Sequence, residues 1–427
     1  MHFKIKVWHF ISFITLTLIL LRINLLLNTF LLMIKFLSLL FNYSSAAFAQ
    51  FDFSFLDSLG SAVLIIVILV STFKLKRKFN FLQKKINFTS FIIILLFSFF
   101  LFAPLIANSN PEFQKDLSVT KLLPPFSSVK VIHLKSIQHK TKNSLSEFID
   151  LKNLVVKRSF DESLIFADSV SISNNITYFQ NGAENILLKD TLQFENGKPL
   201  ITSKIFLLGT DEFGRDIFSR LTYGARISLF VGLGSVLITL ILGLSLGFLA
   251  GYPGGFIDSA LNRLTDTFLA FPVIFFIILI IALFGNSLLS VIVVLGFSGW
   301  MSLFKIVRSE VISLKHKDYF VSAQLLGAPK YKLLLKEILP IITAPIVVNL
   351  VFQFGNVILA EAALSYLGLG TGGSYPSWGS MIEAGQSYLS QAWWMILFPG
   401  AALFLTLYAA NNLGREINIL FNPRLNA

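Results

Sequence analysis

The sequence predicts an all-α integral membrane protein with a six-span core, one or two extra apolar segments before it, and a small β-rich insertion outside the membrane. Three observations carry this expectation. Of 427 residues, 55% are hydrophobic and only 14% charged, with a mean hydropathy of +0.74, whereas a soluble domain runs nearer a quarter charged. Apolar runs of about 20 residues, enough to cross a hydrocarbon layer of ~30 Å, recur along the chain. Lys and Arg flank those runs, as they do where loops are held on the cytoplasmic side. The composition argues against a soluble enzyme, a disordered chain and a fibre. The absence of Cys leaves no disulfide, thiolate nucleophile or Cys-ligated metal to consider.

Residues 1–88 form an N-terminal extension with apolar runs over 10–41 and 60–73 and a basic linker. The first run supports two readings. One is a span that begins inside at Lys4 and Lys6; the other is a signal peptide, because Ala47, Phe48 and Ala49 before Gln50 fit a small-residue cleavage pattern. The run is long for a signal peptide's apolar region, although an internal start at Met33 would shorten it. Ten Lys/Arg against two Asp lie in residues 1–107. The cluster Lys74, Lys76, Arg77, Lys78, Lys84 and Lys85 pins the segment before Ser90 to the cytoplasm. With the basic residues beside apolar runs rather than in an aromatic-interleaved patch, the net charge of +12 is not that of a nucleic-acid binder.

The first core span occupies 89–107. Residues 108–206 then read as a soluble extracytoplasmic insertion, with twelve basic and ten acidic residues. Short β-branched runs at 153–156 and 169–178, separated by Asn and Gly, predict strands there. The rest of the core, 207–413, carries spans near 227–251, 268–284, 288–307, 341–363 and 393–410, and a cytoplasmic tail covers 414–427. Six crossings place 308–340 inside, in agreement with its six Lys/Arg against three Asp/Glu. Gly243, Gly247 and Gly251 repeat every four residues on one helix face. Such small-residue stripes let helices approach closely, within one chain or at a subunit interface. Trp378, Trp393 and Trp394 fit an interfacial aromatic belt, and Gly368, Gly370, Gly372 and Gly373 a flexible outer loop. Asp211, Arg215, Asp216 and Arg220 stand just outside a span. They read either as a solvated ion-pair cluster or as a surface scoop helix that meets a partner protein.

The loop 318–340 contains a short helix around 322–326, a turn at Gly327, a second helix from about Pro329, and Leu339-Pro340 as a break before the next span. This segment resembles the coupling loop of ABC importer permeases, whose pattern is Glu-Ala-Ala, three residues, Gly, and a later Leu-Pro. Val321, Ser322 and Ala323 occupy the triplet, Gly327 and Ala328 come next, and Leu339 and Pro340 close it. Val321 replaces the Glu. A literal Glu361-Ala362-Ala363 is a decoy: four residues separate it from Gly368, and the topology puts it at the outer end of a span. The stretch 208–229, with Gly209, Asp211, Gly214, Arg215, Asp216, Arg220 and Arg226, resembles the dipeptide and oligopeptide importer permeases. So do 103–107, Arg263 to Asp266, Ala270-Phe271-Pro272, 361–370, 376–379 and Asn422-Pro423-Arg424.

Together these blocks cover roughly 74–424 and are similar to the C-type subunit of the paired permeases. The resemblance implies a type I importer permease in the bacterial inner membrane with a cytoplasmic C-terminus, moving peptides or related small solutes by alternating access. It also implies a homologous second permease, two ABC ATPases, an extracytoplasmic substrate-binding protein and membrane lipid as partners. No Gly-x-x-x-x-Gly-Lys-[Ser/Thr] occurs, and the five His are scattered. No catalytic residue, cofactor site or metal site is therefore expected, and ATP hydrolysis falls to other subunits. The rival reading is a secondary transporter or channel working without an ATPase, for which Glu361 is the main intramembrane ionisable candidate.

Overall fold

The structure, a computed structural model, describes residues 6–42, 53–75, 78–135, 144–157, 164–172, 176–195, 197–372 and 376–421. The 47–50 cleavage pattern, Lys76, Arg77, Gly373 and the 422–424 block lie outside them. Seven described helices are long and apolar enough to cross a membrane, or eight spans if one bent helix pair is counted. The chain divides into two compact units, 1–226 with 384–399 and 227–383 with 400–427.

In the first unit the 10–41 run is two helices, Val7–Leu21 and Ile23–Asn42, with Arg22 off-helical between them (φ −117°, ψ 23°). Helix Phe53–Leu75 packs on both. The first core span is the helix Phe88–Ile106, whose cap residue Asn87 accepts from the Ser90 backbone N–H at 2.8 Å. Pro104 lies within this helix and Phe102 departs from helical geometry. Proline lacks the N–H that would bond four residues back, and the Phe100 carbonyl instead accepts from Arg226 Nε at 2.9 Å.

The insertion is β-rich, as expected. Strand Ser127–His133 lies between Leu164–Ala167 and Ile201–Phe206, antiparallel to both, with Val131 opposite Phe166 and Lys130 opposite Ser203. Strands Ser169–Ile172, Ile176–Gln180 and Ala183–Leu187 form a second sheet. Its tight turn uses Asn181 and Gly182, both at positive φ, the geometry that matches strand twist in two-residue hairpins. The expected strand at 153–156 is absent. Helix Ser144–Lys152 runs directly into a π-helical turn, Asn153–Lys157, because Leu-Val-Val carries no alternation and Val155 is buried as part of a helical face.

In the second unit the glycine stripe packs within the chain. A Cβ on Gly243, Gly247 or Gly251 would lie 2.7, 2.6 or 2.9 Å from Leu303, Val307 or Val311 of helix Leu288–Leu314. That face is filled from within the chain. Gly296 returns the fit, a Cβ there lying 2.7 Å from Ile238. Two hydroxyls, Ser235 to the Ile292 carbonyl and Thr239 to that of Gly296, add cross-helix bonds. The region of the span expected over 268–284 is bent, with helices Gly255–Ala270 and Val273–Phe284 meeting at 89°. Pro272 caps the second member and, as proline does, keeps the residue before it out of the helical region. Twelve residues rise only about 18 Å. Leu339-Pro340 does not break the chain either. The π-turn Leu333–Ile338 flows into helix Leu339–Tyr366 with Pro340 in its first turn, where a missing N–H costs nothing.

Candidate functional site

The 318–340 loop folds into a knob on a packed base. Helix Asp318–Leu325 ends in a Schellman cap: the Ala328 N–H donates to the Ala323 carbonyl at 3.2 Å and the Gly327 N–H to that of Gln324 at 3.0 Å. Gly327 takes the φ of +80° that this cap requires. Beneath it Phe320, 2% exposed, packs with Leu314, Leu333, Ile338 and Ile342. The same cluster holds Val307 and Val311 of helix Leu288–Leu314 and Ile346 of helix Leu339–Tyr366. A push on the knob therefore reaches two long helices through close-packed side chains. Its outer side is apolar and bare, with Leu325 and Leu326 more than 80% exposed and Val321, Tyr331 and Leu335 exposed beside them. Val321, Ser322, Ala323, Gly327 and Ala328 gather at this turn. Leu339 and Pro340 lie at its root, where Leu339 packs against the base cluster.

The second expected cluster is not solvated. Asp211, Asp216 and Arg220 are 2%, 4% and 8% exposed, because residues 108–123 of the insertion close over them. Arg215 Nε meets Asp211 Oδ2 at 2.7 Å and its Nη1 meets Glu112 Oε2 at 2.8 Å. Arg220 Nη1 meets Glu112 Oε1 at 2.6 Å and donates to the Pro111 carbonyl at 3.3 Å. Asp211 Oδ1 also accepts the Phe213 and Arg215 backbone N–H groups. The backbone around it is equally tight: a Cβ on Gly214 would lie 2.1 Å from Thr120 Oγ1. The sequence reading missed Glu112, whose partners lie some hundred residues away.

Asp216 is the least satisfied member. Its Oδ2 accepts from the Ser219 N–H at 3.1 Å and hydroxyl at 2.5 Å, while Oδ1 is buried without a partner. Ser219 Oγ in turn accepts from the Asn108 and Ser109 backbone N–H groups, tying the start of the insertion to the first turn of helix Ile217–Gly251. Burial pushes the Asp216 carboxyl up, against the pull of Ser219 and of Lys204. Lys204, itself pushed down by burial, lies 5.1–5.5 Å from the ring centres of Phe113, Phe166 and Phe206. An acid whose folded value is raised contributes stability that is present below its unfolded value, near 4, and lost as pH rises through the folded value. The Asp216→Asn variant should therefore gain thermal stability over the parent, and gain more at pH 8 than at pH 5. A melting comparison in detergent at the two pH values checks the sign.

Glu361 lies within helix Leu339–Tyr366 and is fully buried. It accepts from Ser228 Oγ at 3.1 Å and Ser365 Oγ at 2.8 Å, and Ser228 Oγ also accepts the Trp378 backbone N–H. Gly379 packs on the same helix, where a Cβ would lie 2.7 Å from the Ala362 Cα. The glycines beyond Tyr366 begin with a second Schellman cap at Gly368, and Gly370 sits against Ser365. Only Gly370 is tightly packed: a Cβ on Gly368 would meet nothing within 4 Å, and Gly373 lies outside the described residues. Trp378 and Trp394 are buried, and the Trp394 indole donates to the Thr210 carbonyl at 3.0 Å. Of the three tryptophans assigned to an aromatic belt, only Trp393 is exposed.

A family model described as the binding-protein-dependent transport system inner membrane component matches residues 243–425. The dipeptide transport system permease protein DppC of Bacillus subtilis is 39% identical over 218 residues, 51% of this chain and 68% of the relative. A putative peptide transport system permease protein of Brucella suis biovar 1 is 40% identical over 239 residues, covering 54% and 80%. The oligopeptide transport system permease protein OppC of Bacillus subtilis is 34% identical over 223 residues, covering 52% and 73%. A solved structure of the MetNI methionine ABC transporter in an inward-facing conformation aligns with a TM-score of 0.38 at 16% identity, covering 46% of this chain and 95% of that one.

Proposed function

The chain belongs to the binding-protein-dependent transport system inner membrane components, among the C-type permeases of peptide ABC transporters, and from that premise we propose that it carries peptides across the bacterial inner membrane by alternating access. It is a membrane permease and not an enzyme; ATP hydrolysis belongs to separate ATPase subunits. The reading extends to a complex with a homologous second permease, two ATPases and an extracytoplasmic binding protein, with the knob and the C-terminus in the cytoplasm and residues 108–206 outside.

The observation that supports this mechanism best is the knob at Gly327. Its bare apolar tip is suited to a protein partner, since contiguous exposed apolar surface on an otherwise charged loop marks an interaction site. Its buried base shares one cluster with helices Leu288–Leu314 and Leu339–Tyr366. Closure of the ATPase pair would press Leu325 and Leu326, and the close-packed base would tilt both helices as a rigid unit. Asp211, Arg215, Asp216 and Arg220 would hold the outer entry to helix Ile217–Gly251 fixed while the inner ends move.

The test is co-purification of the tagged chain in mild detergent, followed by reconstitution with its binding protein and a labelled dipeptide. Two ATPases and a second permease should co-purify, and uptake should require ATP. A chain that purifies alone and moves solute down an ion gradient without nucleotide would favour the secondary transporter.

A further inference from the structure

We infer that the N-terminal helices are a buttress: they fix the insertion, and the two membrane helices from which it springs, in one arrangement that does not change during transport. This goes beyond the permease reading, which gives those helices no role. The argument begins with charge. Between Val7 and Leu75 the described residues include four Lys, Arg or Asp: Arg22, Lys35, Asp57 and, in the last turn, Lys74. A charge on an apolar helix is expensive in or near a bilayer unless it is paired, and a segment that merely tethered the chain would need none. Each of the first three finds its partner outside the N-terminal helices.

Arg22 closes the end of the first flanking helix. Its Nε donates to the Leu105 carbonyl at 3.0 Å, and its Nη2 to those of Ile106 and Ala107 at 3.3 Å and to Asn108 Oδ1 at 2.7 Å. These are terminal carbonyls of helix Phe88–Ile106, which have no helical partner and favour a cation. Asp57 takes the start of the second flanking helix through Arg226, the residue that also occupies the Phe100 carbonyl. Lys35 meets Glu147 of the insertion at 2.8 Å.

That last pair is half exposed and weak by itself, but it borders an apolar joint. Phe148 is fully buried and Val155 is 1% exposed, in a cluster with Leu32, Phe36, Leu39 and Phe55 of the N-terminal helices. The rings of Phe36, Phe55 and Phe148 form a triangle with centres 5.2, 6.0 and 6.3 Å apart, within the range of favourable aromatic contacts. The insertion is thus held at its two roots and, through Phe148, at a third point remote from them in sequence.

The chain has no native Cys, so in the assembled transporter a Lys35→Cys/Glu147→Cys pair can be linked by a short bismaleimide with no other thiol of this chain competing, and the link is read as joined peptides of this chain. The linked peptides should appear in equal yield with and without ATP, and uptake by the linked transporter should stay within about twofold of the unlinked double variant, as a joint outside the moving parts requires. A poor yield, a yield that changes with nucleotide, or uptake that stops on linking would each overturn the buttress. Failure of the parent transporter to import peptide would count against the permease reading instead, while the yields would still decide the joint. As a second measurement, Phe148→Ala should speed proteolytic nicking of the insertion roughly tenfold and Phe148→Leu far less, because the lost ring leaves a cavity. Equal nicking in both variants would show that the joint carries no load.

Discussion

Gly327→Asp should abolish ATP-driven uptake while leaving the chain folded in the membrane. Two effects act at that one position. The backbone there sits at φ +80°, which costs an L-residue about 1–2 kcal/mol, so the cap that turns the chain after Leu325 is strained or lost. A Cβ would meet nothing within 4 Å, so the penalty is conformational and not steric. The second effect is larger. The carboxylate would stand beside Leu326 on the face proposed to dock an ATPase; if that face loses its water on docking, an unpaired charge there costs about 3 kcal/mol or more, over a hundredfold in the docking equilibrium. Gly327→Ala carries only the first effect and should retain part of the uptake. Uptake assays beside ATPase co-purification separate the cases. Normal uptake and full ATPase recovery for the Asp variant would sink the coupling assignment.

The loop at Gly327 was legible in the sequence because its information is local. A short amphipathic stretch, a Gly and a proline-led second helix lie within about 20 residues, and the structure builds each of them close to where the pattern puts it. The glycine stripe was legible for the same reason: its spacing of four defines a face, although only the structure could say that Val307 fills it. The Asn181-Gly182 hairpin likewise stems from two residues. What failed depended on partners far along the chain. Of the two readings of Asp211 and Arg220, a solvated pair or a scoop that meets a partner, the first rested on charged residues beside a span being normally wet; they are buried because Glu112 and Thr120 arrive from the other root of the insertion. Trp378 and Trp394 looked like belt residues by composition, yet each is covered by neighbours that no local window contains. The bend at Pro272 was missed for the opposite reason. The apolar run on either side is so continuous that hydropathy outweighed a breaker inside it.

The buried outer cluster supplies the second large effect. Arg220→Ala removes the guanidinium that bridges Glu112 and Asp211 (Nε to Oδ2 at 3.5 Å) and that donates to the Pro111 carbonyl. Asp211 is 3% exposed at its side chain, so beside its backbone N–H bonds it would keep the Arg215 guanidinium but lose that of Arg220. Glu112, at 38%, recovers part of its loss from water. Breaking a buried pair by deleting one partner costs about 3–5 kcal/mol; with Glu112 half open the expected loss is about 2–4 kcal/mol, a drop of roughly 5–10 °C in melting midpoint for a unit of this size. Arg220→Lys should recover only a fraction, because one ammonium cannot meet two carboxylates and a carbonyl with the fork that guanidinium provides. The double variant Arg220→Ala/Glu112→Gln should regain more than Arg220→Ala alone, since it withdraws one of the two stranded charges. Melting curves of these proteins together with the Glu112→Gln single variant, in detergent, close the cycle that measures the coupling. If Arg220→Ala melted with the parent, the cluster would be a wet surface pair after all, and its place as the fixed outer hinge of helix Ile217–Gly251 would go with it.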